Sequence, residues 1–128
     1  MRLSEREFAQ VVAGKKLARP KAPKETDIQN AIREYLLWNG WYVIRHHQSL
    51  GSLKGLSDLT AIKDGWTVYV EVKTPKGTLS EDQEKFRDNV IAHGGTYVVA
   101  RSVEDVQFLC RISVKELQAA WLGKVVGT

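Results

Sequence analysis

Asp58 and Glu71 stand at the two ends of a pair of apolar runs, Leu59-Thr60-Ala61-Ile62 and Trp66-Thr67-Val68-Tyr69-Val70, and Lys73 follows two residues after the glutamate. The runs are joined through Asp64-Gly65, a pair suited to a two-residue hairpin turn because both positions take positive φ there. That turn sets the register: Lys63 faces Trp66, Ile62 faces Thr67, Ala61 faces Val68, Thr60 faces Tyr69, Leu59 faces Val70, and Asp58 faces Glu71. Side chains alternate along a strand, so Val68, Val70 and Val72 share one face while Tyr69, Glu71 and Lys73 share the other. Two facing carboxylates oppose each other's ionisation unless a cation lies between them. The spacing therefore suits a metal centre. Its plainer alternative is a solvated ion cluster on the outer face of an amphipathic hairpin.

Other elements must hold this hairpin in place. Ile28, Ala31, Ile32, Tyr35 and Leu36 recur at helical spacing, with Thr26 as the expected N-cap and Asn39-Gly40 as the stop. Glu25, Gln29 and Arg33 form a polar stripe beside them. Trp41 to His46 predicts a strand, and 47–55 a polar loop whose glycines and Lys54 suit a phosphate. Adjacent His46 and His47 point to opposite faces of a strand, which argues against zinc. After the turn 74–79, Ser80 opens a helix with Gln83 at the capping-box position, and Gly94-Gly95 ends it. Thr96 to Ala100 predicts a buried strand reached by a crossover. Segments 103–110 and 113–122, the latter capped by Ser113, predict amphipathic helices, as does 3–13 with Ser4 as its cap.

The 128 residues, 43% hydrophobic and 27% charged, predict one soluble domain able to bury roughly two thirds of its unfolded surface. No apolar run approaches the ~18 residues of a membrane span, and no signal-peptide core is evident. The single Cys110 forms no internal disulfide, and a cytoplasmic setting is expected, the host's if the gene is a phage's. The net charge of +4 is unevenly spread: residues 1–24 carry +5, the remainder −1. We therefore divide the chain into a basic arm (1–24), one folded domain (25–123) and a tail (124–128). Lys15, Lys16 and Arg19 in the arm are suited to phosphates, though a solvated terminus without a partner explains them too.

Glu25 with Gln29, Gly55-Leu56-Ser57-Asp58-Leu59, Glu71-Val72-Lys73, and Leu79-Ser80 with Gln83 together resemble the VRR-NUC (virus-type replication-repair nuclease) domain of the PD-(D/E)XK superfamily. Ser57 stands where that family often has proline. The resemblance implies an α/β, restriction-endonuclease-like core of order α-β-β-β-α-β, a central mixed sheet flanked by helices. It further implies a metal-dependent, structure-selective DNA endonuclease acting on branched DNA such as Holliday junctions or flaps. Asp58, Glu71, the Val72 carbonyl and Glu25 would hold Mg²⁺ or Mn²⁺. Lys73 would attend the nucleophile and the scissile phosphate, with Gln83 in a supporting catalytic role. Lys54, Gln29, Arg33 and Lys76 would contact DNA beside the arm residues. The family's minimal viral members resemble archaeal Holliday-junction resolvases, small proteins that pair to cut two strands, so a homodimer is expected, with Trp121 and Leu122 as interface candidates. The other reading is a catalytically inactive DNA-binding protein on the same scaffold.

Overall fold

The computed structural model describes residues 4–6, 22–47, 52–111, 113, 116 and 125–126. Helix α1 spans Glu25–Trp38. Its N-cap is Lys24, with no side-chain cap, and Thr26 lies inside the first turn beside Glu25 and Asp27, whose charges suit the helix dipole. The cap expected at Thr26 is thus displaced by two residues. Asn39 closes the helix, and Gly40 takes φ +83°, a conformation glycine adopts without strain. The buried stripe is Ile28, Ile32 and Leu36, with Gln29 also buried and Ala31 exposed.

Strand β1 (Tyr42–Arg45) leads to β2 (Leu59–Lys63) and β3 (Trp66–Val72). The β2–β3 register runs from Lys63↔Trp66 to Leu59↔Val70, as the Asp64-Gly65 turn requires. Both turn residues have positive φ, +49° and +81°. Helix α2 (Glu81–Ala92) begins with a complete capping box: Ser80 accepts from the Gln83 N–H, and Gln83 Oε1 accepts from the Ser80 N–H. It crosses back to β4 (Thr96–Ala100), which pairs parallel with β3, and every residue of β4 is buried. Residues 103–110, expected as one helix, divide into a 3-10 turn (Val103–Val106) and a short α3 (Phe108–Arg111). Within the segment 124–128, β5 (Val125–Val126) pairs parallel with β4. The sheet is mixed, in the order β1-β2-β3-β4-β5.

The two faces of this sheet carry different helices. Val68, Val70, Val72, Val98 and Ala100 pack with Ile28, Ile32 and Leu36 of α1 in one core cluster. On the opposite face, Tyr69 meets Phe86 of α2 edge-on at 5.4 Å, and Phe86 also lies 6.2 Å from Tyr97. Alternation along β3 therefore directs its valines to α1, and Glu71 to α2. Of the expected helix 3–13 and the helix 113–122, most residues lie outside those described, as do Trp121 and Leu122. At the start of the latter, Ser113 and Glu116 exchange capping hydrogen bonds.

Candidate active site

The β2–β3 ladder stops at Leu59↔Val70, and one step beyond it a side chain takes the place of the backbone. Asp58 Oδ2 accepts the Val72 N–H at 2.8 Å, while the Asp58 carbonyl accepts the His46 N–H at 2.9 Å. Asp58 is thereby fixed to both neighbouring strands. Ser57, wholly buried, donates its hydroxyl to the Leu59 carbonyl at 3.0 Å. That bond gives the approach to Asp58 a defined course without a proline.

Glu71 is 1% exposed. Its Oε1 accepts from Gln83 Nε2 at 3.0 Å and lies 3.9 Å from Lys73 Nζ. Among the described residues, its buried Oε2 has no hydrogen-bond partner. Burial pushes the Glu71 carboxyl up to about 9; the charge of Asp58 and a proton the two acids can share act in the same direction, and so, more weakly, does Glu25. Lys73 pulls the other way without offsetting them. A carboxylate aimed at another carboxylate in a buried place needs a proton or a cation between them. The unpartnered oxygen and the hard oxygen donors of Asp58 and Glu71 fit a small divalent cation.

Gln83 serves two sites with one amide: its oxygen closes the capping box of α2, and its nitrogen reaches Glu71. Its spacing in the chain showed only the first of these. Glu25 arrives differently. Because α1 covers the valine face, Glu25 approaches from the end of its helix; it is exposed and is felt by Glu71 through its charge. Among the described residues, no group of three or more His, Cys, Asp or Glu side chains is gathered as a metal cluster. Asp58 and Glu71 are brought together; Glu25 stays outside that pair.

A cleft of about 330 Å³ opens in front of Asp58, lined by Lys54, Gly55, Leu56, Ser80, Asp82 and Gln83. Gly55 makes it possible. A Cβ there would stand 2.0 Å from the Asp82 carbonyl oxygen, and φ is +76°, so only glycine lets this loop rest on the first turn of α2. Lys76 is exposed on the following turn, Arg33 is half-buried and Gln29 is buried on α1. Lys15, Lys16 and Arg19 lie outside the described residues. His46 is accounted for by a 2.6 Å hydrogen bond with Thr60 Oγ1.

Two residues near the site had no signal in the sequence. Arg101 donates to the Thr74 and Gly77 carbonyls at 2.8 and 2.6 Å, clamping the turn after Lys73 from the far end of β4. The buried Tyr97 hydroxyl lies on the Glu71 face without a partner among the described residues; burial and the Glu71 charge both raise its pKa. Each depends on the parallel β3–β4 pairing, which no local pattern encodes.

A mixed sheet with helices on both faces, carrying Asp58 and Glu-x-Lys at one end of its antiparallel hairpin, is a restriction-endonuclease-like core. A family model described as the VRR-NUC domain matches residues 24–104, and the chain belongs to that nuclease family. It is similar to a solved structure titled "VRR_NUC domain" at 24% identity and TM-score 0.59, with 69% of this chain and 95% of that one covered. No curated protein matches the chain.

Proposed function

We propose that this protein is a metal-dependent endonuclease that hydrolyses phosphodiester bonds in branched DNA. The observation that carries the reading is the buried, partnerless Glu71 Oε2 beside Asp58, with Lys73 Nζ 3.9 Å from the other carboxylate oxygen. Asp58, Glu71 and the Val72 carbonyl would hold Mg²⁺ or Mn²⁺, with Glu25 adding negative charge or a water-mediated link. A divalent ion held there supplies positive charge to a phosphodiester and makes water more acidic.

The chain's own groups do the remainder. Lys73 sets a cation beside the phosphate as negative charge builds on it, and its ammonium group helps to orient the nucleophile. Gln83 holds Glu71 in one orientation beside Asp58, where the two carboxylates would hold the ion together. Lys54 and Lys76 offer exposed ammonium groups to neighbouring phosphates. Nothing in this arrangement reads base edges, so selectivity for DNA shape fits better than selectivity for sequence. A symmetric homodimer would supply the second active site needed to cut two strands. Among the described residues, Trp38 and Tyr42, 89% and 66% exposed near the β1 edge, are apolar surface available to such an interface.

The test is cleavage of linear duplex, flap and four-way junction by purified protein with Mg²⁺, Mn²⁺ or EDTA. Products from branched DNA with either metal and none with EDTA are expected. Equal cutting in EDTA would sink the metal assignment, and equal cutting of linear duplex the structure selectivity.

A further inference from the structure

Helix α2 packs across the sheet, yet none of its residues is buried. A second hollow, about 580 Å³, lies between the stretch carrying Leu53 and Lys54 and the body of the helix. Half-buried Tyr69 and Phe86 form its floor, Leu53, 63% exposed, stands on its wall, and Asn89 and Lys85 lie along the helix side. This volume is within the range of small-ligand sites, ~300–1,000 Å³. Lys54 and Asp82 line both this groove and the cleft in front of Asp58. The contact of Gly55 with the Asp82 backbone is the waist between the two.

We propose that the groove is a nucleobase site: it receives one unstacked base of the DNA strand whose phosphates pass through the Asp58 cleft. The inference rests on the nuclease reading and deepens it. An aromatic and aliphatic floor accepts the π-face of any base. Lys54 at the waist faces the phosphate joining a base in the groove to the backbone in the cleft. Lys85 at the rim is exposed and makes a surface pair with Glu81 at 3.5 Å, which costs little to break. Leu53, Tyr69, Phe86 and Val90 give the groove an apolar and aromatic lining that the cleft lacks, so the base and not the charged backbone belongs in it. A nucleotide at a branch point is already partly unstacked and enters at lower cost than one inside a duplex. Base capture thus gives preference for branched DNA without reading sequence.

The experiment uses the full chain, flap DNA, and Ca²⁺ in place of Mg²⁺ to keep strands intact. 2-Aminopurine, then an abasic residue, is placed in turn at each nucleotide around the branch. At one position, binding should brighten 2-aminopurine several-fold, and the abasic residue should weaken binding roughly tenfold or more, the loss of one stacked base. Asn89→Trp fills the groove from the exposed side of α2; it should abolish the brightening and reproduce the affinity loss while leaving the melting midpoint unchanged. DNA that is bound, and cut with Mg²⁺, but shows no position-dependent brightening or abasic penalty in the wild type would overturn the nucleobase site and leave the nuclease reading standing. A chain that neither binds nor cuts DNA would remove both.

Discussion

At the scale of single residues, Glu71 holds the sharpest tension in the molecule, because burial and the facing Asp58 both resist its ionisation. Its carboxyl rises from 4.5 in the unfolded chain to about 9 in the folded one. Between those values the folded state keeps a proton that the unfolded state has released, so stability falls as pH rises across that window. Glu71→Gln removes the conflict. In metal-free protein it should raise the melting midpoint at pH 8, by an amount that shrinks toward pH 4.5; a gain independent of pH would contradict the assignment. Mg²⁺ should raise the midpoint of the wild type and leave Glu71→Gln unmoved. Asp58→Ala and Lys73→Ala should each lower cleavage by about 10²–10³-fold, the cost of removing one preorganised polar group, with DNA binding largely kept. Wild-type cleavage rates in both would end the nuclease reading.

At the scale of elements, α2 is tied to the site by its own first turn. Gln83→Ala should cost about 1 kcal/mol through the lost cap and also free Glu71. Gln83→Glu separates the two effects, since a carboxylate still accepts the Ser80 N–H but cannot donate to Glu71. It should melt near the wild type while cleavage falls at least tenfold. Unimpaired cleavage would mean that capping is the whole role of Gln83. Gly55→Ala attacks the same junction from the loop: a Cβ 2.0 Å from the Asp82 carbonyl forces the loop off the helix, and both melting midpoint and cleavage should drop.

At the scale of the whole molecule, charge and chemistry are apportioned to different parts of the chain. Residues 1–24 carry a net +5, and the remainder, with both site acids, carries −1. Counterion release scales with the phosphates a cationic segment neutralises, about 0.9 per contact in the slope of log affinity against log salt. Removing residues 1–20 should flatten that slope and weaken binding to every DNA structure alike, while the preference for branched over linear DNA persists. A loss confined to branched DNA would instead place shape recognition in the arm. Sedimentation at micromolar concentration, with Trp38→Ser and Tyr42→Ser compared with the wild type, tests the homodimer and its proposed edge.

Local rules made much of this protein readable from its sequence. Asp64-Gly65 fixed the hairpin register because a two-residue turn leaves the strands no other pairing, and period-two alternation then separated the valines from Glu71. Ser80 and Gln83 marked the start of α2 because a capping box closes within four residues. The pairing of Asp58 with Glu71 followed from the same turn. Tertiary structure alone decided which helix covers which face. It set α1 against the valines and left Glu25 at the margin, gave Gln83 a second bond, brought Arg101 to the turn after Lys73, and left a groove under α2. Each of these joins segments far apart in sequence through sheet order and packing, and no local spacing carries that information.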